Sequence, residues 1–338
     1  MALLFMDGFG AGDSRFKWDN GSYSGGAGTS SPRVPGSFYL SMVGGSNSLY
    51  KTVTPSAQLF VGLGLASDTN AAVTFYGDSG ATTHITVMRD LDTGILQIRR
   101  GTSSGTLLAT GTQPLYDLSW NYVEISVTIS DTIGNVQVRL NGQTTNEVSY
   151  TGDTKNGGTG TTIDRVLVYA GTLPTRVTRV ADVYILNSVG GGTMGTFLGD
   201  VAVRTLSPTS NGIDSGLTGS DGNQTDNYLL LDEHPYSSSD YTGSATPGAR
   251  DTYGIENLTA GINTVYGVQI NGFMAKSDVS LGTAKLVMRT GGNIYDGTTR
   301  ALNTTYTGYY ELYETNPDTA TNWTVSDVDG LEAGMEVV

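Results

Sequence analysis

Two alternating strands joined by a short turn constrain the fold of this chain more than any other stretch. In WNYVEISVTISDTIGNVQVRLNG, residues 120–142, apolar residues occupy every second position on both sides of residues 131–134. A period of two places the apolar side chains on one face of a strand and the polar ones on the other. The pair Asn141-Gly142 favours a tight turn, because both residues tolerate positive φ. We therefore predict a β-hairpin here, and we expect these residues to be buried in it and in similar stretches further on: Val123, Ile125, Val127, Val136, Val138, Leu140, Val268, Ile270, Leu286 and Met288.

Short alternating runs bounded by Gly, Asp or Asn continue along most of the 338 residues, which include 47 Gly and 9 Pro. This pattern is typical of strands joined by tight turns. Residues 1–199 carry a net charge of −2 and residues 200–338 carry −12, and such asymmetry indicates two domains. We predict an all-β chain with two jelly-roll-like β-sandwich domains, one at residues 1–195 and an acidic one at 196–338. One more strand is expected from Val201 to Leu206, ending before Pro208.

Composition excludes several classes of function. The acidic balance argues against a nucleic-acid partner, since phosphate binding needs a basic face. The absence of cysteine excludes disulfides, zinc-thiolate sites and thiol catalysis. No run approaches the roughly 18 apolar residues of a membrane span. The start, MALLFMDGFG, lacks a basic segment and an apolar core of roughly 7–15 residues, so we expect no signal peptide and synthesis in the cytoplasm.

The carboxylates do not form the pattern of a glycoside hydrolase. Retaining hydrolysis needs two carboxyl groups about 5–5.5 Å apart, and a strand supplies them at positions i and i+2. Glu124 has no such companion on its strand, and Glu311 and Glu314 are three residues apart. Asp327 and Asp329 have the right spacing but lie in SDVDG, which is typical of a turn. We therefore predict no catalytic residues and a protein that is not an enzyme.

Metal and ligand signals are weak along the chain. His84 and His234 are isolated, and a zinc site needs three or four ligands. No cofactor or metal site is assigned, and calcium in the loop SDGNQTD, residues 220–226, remains an open alternative. In the loop after residue 10, Phe16, Trp18 and Tyr23 either pin the loop to its domain or stack on a sugar ring.

The first half of the chain resembles the concanavalin-A-like, laminin-G-like jelly rolls. In that family a Trp begins one strand, the next strand ends in an Asn-Gly or Asp-Gly turn, and a late strand reads Asp-Asp-hydrophobic-aromatic-hydrophobic. Here Trp120, Asn141-Gly142 and the run Ala181-Asp182-Val183-Tyr184-Ile185 follow that order, with Ala181 as a departure. The resemblance covers about residues 1–190 and implies a fold rather than a function.

An ordered series of short motifs over nearly the whole chain resembles a family of tailed-bacteriophage virion proteins. The series is Met6-Asp7-Gly8-Phe9, Phe197-Leu198-Gly199-Asp200 with Val201 and Val203, Asp232-Glu233-His234-Pro235, Asp251-Thr252-Tyr253, Val265 to Gln269, Glu314 to Pro317, Trp323-Thr324 and Leu331 to Gly334. Members of that family are assigned to the tail, to fibres or to the outside of the capsid, and no catalytic residues are attached to the pattern.

The resemblance implies a non-enzymatic structural protein of the virion, exposed on the particle exterior as a capsid decoration or tail-associated subunit. We expect it to assemble with copies of itself, preferably as a trimer, and with other capsid or tail proteins. The tyrosine-rich run TYTGYYELY, residues 305–313, supplies either that contact or the second core. The alternative function is a carbohydrate-binding or receptor-binding module that recognises a host-surface glycan.

Overall fold

A computed structural model describes residues 2–11, 16–22, 27–29, 32–45, 47–188, 194, 196–234 and 236–338. The chain forms two compact units, Met1–Arg204 and Thr205–Val338. The all-β prediction is confirmed, and the helices in the described residues are short, such as α1 (Val325–Asp329) and a 3-10 turn at Asn227–Leu230. No helix in the described part of the chain is long and apolar enough to cross a membrane.

The first unit consists of two antiparallel sheets, whose strands are numbered in chain order. Sheet A contains, in spatial order, β13 (Val148–Gly152), β12 (Gly134–Leu140), β11 (Asn121–Thr128), β6 (Gln58–Ser67), β15 (Val177–Asn187), β4 (Tyr39–Val43) and β3 (Ala27–Gly28), and β1 (Ala2–Asp7) also pairs with β15. Sheet B contains β10 (Thr106–Pro114), β9 (Ile95–Arg100), β8 (Thr82–Arg89), β7 (Ala72–Gly77), β14 (Ile163–Tyr169), β5 (Ser48–Ser56) and β2 (Asn20–Ser22).

The predicted hairpin is the β11–β12 pair, in which Val123 lies opposite Leu140 and Val127 opposite Val136. Its apolar face forms one core with the inner residues of sheet B, so the two sheets pack face to face as a sandwich. Asn141 and Gly142 both have positive φ, as the turn prediction requires. Every residue predicted to be buried is so except Val268, which is only partly buried.

Asp7 fixes the start of the first unit. Its carboxylate is fully buried and accepts hydrogen bonds from Lys17 Nζ at 2.9 Å, Trp18 Nε1 at 2.8 Å and the Phe9 backbone N–H at 2.9 Å. The Trp18 ring packs edge-to-face on Phe5, with centroids 4.9 Å apart. Trp18 therefore pins its loop to the core, whereas Tyr23, grouped with it in the sequence, lies outside the described residues.

The second unit contains one large sheet, covered on one face by a ribbon. The large sheet contains β16 (Pro208–Ser215), β19 (Arg250–Ile255), β25 (Glu332–Val337), β21 (Thr283–Thr290) and β22 (Asn293–Asp296), with β23 (Arg300–Ala301) paired to β21. Strands β20 (Val268–Met274) and β24 (Thr307–Tyr313) form the ribbon, and β17 (Thr218–Gly219) pairs with β18 (Thr242–Gly243). Ile270 and Met274 of the ribbon pack on Leu286 and Met288 of the sheet, so this unit also has two layers.

The structure corrects two local predictions. Residues 201–206 do not pair as a strand, because the Val203 N–H donates to the side chain of Asp182. Pro208, expected to end a strand, begins β16. SDVDG is not a turn but belongs to helix α1, in which Thr324 and Asp327 form a capping box.

The tyrosine-rich run, residues 305–313, contributes one of its faces to the core of the second unit. Tyr309 and Tyr313 pack against the second core, and Tyr310 falls on the opposite face of β24. Tyr306, just before that strand, joins Tyr236 with ring centroids 5.9 Å apart.

We expect Ile125→Ala to lower the free energy of unfolding of the first unit by about 2–5 kcal/mol, because it leaves a cavity at a fully buried position. Ile133→Ala is the matched control, since Ile133 is 79% exposed in the turn of the same hairpin and should change stability by less than about 0.5 kcal/mol. Urea titration of the full chain, followed by tryptophan fluorescence, measures both. Equal costs for the two variants would contradict a core centred on this hairpin.

Candidate functional site

The outer face of sheet A, opposite the core, carries an unusual set of side chains. The residues of β11 that alternate with the core positions are Tyr122, Glu124 and Ser126, and Trp120 directly precedes the strand. Beside them on β6 lie Gly62 and Gly64, which pair with Glu124 and Tyr122 respectively. The next strand, β15, contributes Arg179 and Tyr184. Two glycines in the middle of the sheet therefore leave room for large side chains to lie across β6.

Residues 197–204, which we call the strap, lie on one end of this face. The Phe197 ring packs edge-to-face on Phe60, with centroids 5.3 Å apart. The backbone N–H groups of the strap donate to the face: Leu198 to Tyr184 Oη at 3.3 Å, Gly199 to Glu124 Oε1 at 2.9 Å and Val203 to Asp182 Oδ1 at 2.8 Å. The strap thus binds the sheet as an extended peptide would.

Glu124 and Tyr184 form the floor under the strap. The Tyr184 hydroxyl donates to Glu124 Oε1 at 2.5 Å, and both side chains are buried. Burial raises the pKa of Glu124, while the hydrogen bonds from Tyr184 and Gly199 oppose that rise. Gly62 makes this arrangement possible, because a Cβ there would lie 2.1 Å from Tyr184 Cε1.

Arg33 and Asp182 anchor the other half of the strap. Arg33 Nε donates to Asp182 Oδ2 at 2.7 Å, and its terminal nitrogens donate to the Asp200 carboxylate and the Val201 carbonyl. The guanidinium also lies over the Tyr122 ring, with Cζ 4.6 Å from the centroid. Burial raises the pKa of Asp182, and the charge of Arg33 opposes it. Asp182 reaches this position through a β-bulge between Ala181 and Tyr184, where it has a φ of 50°.

The structure places a second carboxylate, that of Asp182, on the same outer face as Glu124. Glu124 and Asp182 both serve the outer face of sheet A, on strands separated by β6. Their exposed fractions are only 1% and 0%, and strap N–H groups occupy both carboxylates. A general acid must come within hydrogen-bond reach of its substrate, so in this arrangement the two carboxylates bind the strap instead.

The opposite end of the same face carries aromatic rings and a cation. Tyr39 packs edge-to-face on Trp120, with centroids 5.8 Å apart, and Arg179 lies over Tyr39, with Cζ 5.3 Å from the ring centroid. Trp120 and Arg179 are partly exposed. We call these three residues the Trp120 end. A partly exposed aromatic ring beside a guanidinium offers a ligand an apolar surface and hydrogen-bond donors.

Of the two histidines predicted to be isolated, His84 lies on β8 of sheet B and His234 belongs to the second unit. His84 is fully buried in sheet B, and its Nδ1 accepts the Asn156 N–H at 3.2 Å, while Nε2 has no hydrogen-bond partner in the described structure. Burial lowers the pKa of His84, and the nearby carboxylates of Asp78 and Asp164 partly offset this. His234 is exposed and contacts the Ser207 hydroxyl at 2.7 Å.

The calcium alternative gains no ligand set from the described residues. In the loop at 220–226, the Asp221 carboxylate accepts from the backbone N–H and the side-chain amide of Asn223, at 3.2 and 2.6 Å. Across the part of the chain that the structure describes, no three His, Asp or Glu side chains are grouped to hold a metal ion.

Several motif residues of the second half are structural. Asp251 is buried and accepts from the Leu217 N–H at 2.7 Å, Asn227 Nδ2 at 2.7 Å and the Tyr253 hydroxyl at 2.8 Å. Trp323 Nε1 donates to the Tyr313 carbonyl at 3.0 Å. Of the motif at 232–235, Pro235 lies outside the described residues.

Sequence reasoning missed Arg33, Arg179 and Asp200 as parts of this face. Two sequence signals could have indicated the site. The first is the spacing of Gly62 and Gly64 within a strand. The second is the presence of a charged residue, Asp182, within an otherwise apolar strand.

Comparison with known proteins finds similar solved structures at low sequence identity. No family model and no curated protein matches the chain. Matching solved structures include a protein with a galectin-like fold from Bacillus subtilis (13% identity, 55% of this chain and 96% of that one, TM-score 0.35). Others are the metal-free lectin I-B4 of Griffonia simplicifolia (11%, 55% and 99%, TM-score 0.35) and the transglycosylase Crh5 (11%, 56% and 85%, TM-score 0.36). Strand order and core define the class: an all-β chain whose N-terminal part is a β-sandwich of two antiparallel sheets.

We expect acid to destabilise the first unit through His84. Its pKa is lower folded than unfolded, so the unfolded chain binds the proton first; this contribution is complete above about pH 6.5 and is lost as pH falls below it. Protonation also gives Nδ1 a hydrogen that opposes the Asn156 N–H. His84→Asn should flatten the loss of unfolding free energy between pH 7.5 and 5.5, whereas the exposed-site control His234→Asn should behave as wild type. Parallel pH profiles for wild type and His84→Asn would contradict this.

Proposed function

We propose that this chain is a non-enzymatic recognition protein whose first unit binds carbohydrate at the Trp120 end of sheet A. The observation that carries the proposal is the grouping of Trp120, Tyr39 and Arg179 on one outer face. The C–H face of a sugar ring packs on an aromatic surface, and a guanidinium donates to sugar oxygens. The sugar would belong to a host-surface glycan.

The position of the strap on the outer face of sheet A supports the Trp120 end as the carbohydrate site. It occupies the end of the face around Phe60 and Glu124 and uses the hydrogen-bonding groups there. Arg179 lies beyond its described contacts and is partly exposed. At the other end of the face, Trp120 and Arg179 keep part of their surface exposed, and this is where an external ligand would reach them.

The first test is Trp120→Ala in the full chain, measured by glycan array on bacterial surface polysaccharides and then by calorimetry. We expect at least a tenfold loss of affinity, because the aromatic surface is removed. Tyr116→Ala is the matched control, since Tyr116 is 72% exposed in the loop before β11 and should bind as wild type. Circular dichroism verifies folding of both variants. Binding unaffected by Trp120→Ala, or no binding to any polysaccharide by wild type, would refute the proposal.

A second candidate is a structural subunit on the exterior of a tailed-phage particle, and a specific observation favours it. The motifs that resemble virion proteins hold the fold together instead of converging on a reactive site: Asp7 fixes the start, Gly199 and Asp200 belong to the strap, and Asp251 organises the second unit. Self-assembly, preferably as a trimer, and contact with capsid or tail proteins complete this proposal. The two functions are compatible, since a displayed sandwich can also bind glycan.

We expect peptides of this chain in purified phage particles, and antibody against it to label the particle surface. The purified protein should form closed oligomers, measured by light scattering at micromolar concentration. A portal or scaffold antibody is the control, because it should not label intact particles. A monomer that antibodies cannot reach on intact particles would overturn the structural role without affecting the glycan proposal.

A further inference from the structure

Three arginines lie on the outer face of sheet A: Arg139 is stacked on Phe197, and Arg33 and Arg179 are each stacked on a tyrosine. Arg33 Cζ is 4.6 Å from the Tyr122 ring centroid, and Arg179 Cζ is 5.3 Å from that of Tyr39. The same recognition element is therefore repeated on one face, and the two copies can be compared directly.

The first copy is complete. Arg33 donates to the carboxylates of Asp182 and Asp200 and to the Val201 carbonyl. Both of its carboxylate partners are supplied by the chain, one from β15 and one from the strap. This shows what a stacked guanidinium on this face binds when its oxygen ligands are present.

The second copy lacks those oxygens. In the described structure Arg179 has no hydrogen bond and no ion pair, and its Nε is buried without a partner. A buried donor without an acceptor is unfavourable, so an acceptor that enters here satisfies it in addition to forming its own hydrogen bonds. The carboxylates of Asp182 and Asp200 cannot serve, because Arg33 holds them.

We infer that the carbohydrate bound at the Trp120 end is acidic, and that the guanidinium of Arg179 receives a carboxylate of the sugar while Trp120 packs against its ring. The inference rests on the proposed glycan-binding function and names its ligand class. A carboxylate matches the planar fork of arginine with two parallel hydrogen bonds, which a neutral hydroxyl cannot form.

The charge around the site selects a sparsely charged ligand. Residues 1–199 carry a net charge of −2, so the unit has no basic field to hold a nucleic acid or another dense polyanion. One arginine beside an aromatic shelf suits a polysaccharide with one carboxylate on a sugar ring.

The experiment titrates the full chain with polygalacturonate, alginate and hyaluronan, with their carboxyl-reduced forms, and with neutral dextran and galactomannan. We expect an acidic polymer to bind and its carboxyl-reduced form to bind at least tenfold more weakly. Arg179→Gln should remove that difference, and Arg179→Lys should restore it only in part. Arg176→Gln is the matched control, since Arg176 is exposed just before β15 and pairs with Asp68 at 3.5 Å.

The outcomes distinguish failure of the acidic-ligand inference from failure of the proposed glycan-binding function. If neutral or carboxyl-reduced polymers bind as tightly and Arg179→Gln has no effect, while Trp120→Ala abolishes binding, the acidic ligand is wrong and the glycan site stands. If a phosphorylated teichoic acid binds and the carboxylated polymers do not, the carboxylate assignment is also wrong. If wild type binds none of these polymers, both proposals fail.

Discussion

The buried ion pair between Asp182 and Arg33 is the interaction on which the outer face of sheet A depends. Asp182 is fully buried and Arg33 is 8% exposed, so each would be costly without the other. Their pairing leaves one carboxylate oxygen and the terminal guanidinium nitrogens to be satisfied, and the strap does so with the Val203 N–H, the Asp200 carboxylate and the Val201 carbonyl. This demand explains why residues 197–204 belong to the first unit, although the sequence placed a domain boundary between 195 and 196.

Two glycines of β6, Gly62 and Gly64, allow large side chains to pack closely on the outer face of sheet A. A Cβ at Gly64 would lie 2.7 Å from Arg33 Cδ, and one at Gly62 would meet the Tyr184 ring. Both large side chains can therefore lie across β6 instead of standing away from it. Gly8 allows the strap backbone to approach closely, because a Cβ at Gly8 would lie 2.4 Å from the Val203 carbonyl oxygen.

The features that follow from the alternation of apolar and polar residues could be predicted from the sequence. The β11–β12 hairpin, its buried residues and the all-β class follow from alternation, because burial of one strand face needs no knowledge of distant residues. The strap could not be predicted in this way, since its hydrogen bonds join backbone groups to side chains far away in the sequence, such as Gly199 to Glu124. The same limit applies to Asp182, whose bulge and positive φ allow a charged residue inside an otherwise apolar strand. The placement of Glu124 and Asp182 on one face depends on the strand order, which the spacing of carboxylates within a strand does not contain.

Charge is distributed differently in the second unit, and this bears on assembly. Its basic side chains are largely bound internally: Arg250 and Lys285 share Glu336, and Arg300 pairs with Glu311. The acidic excess of residues 200–338 therefore faces solvent, where neighbouring copies would repel one another. At physiological ionic strength, salt screens such surface charges over roughly 8 Å and so weakens the repulsion between copies. Screening adds no attraction between them. A closed oligomer would therefore need apolar contact, and the partly exposed aromatic side chains of Tyr236, Phe273 and Tyr306 supply a surface of that kind in this unit.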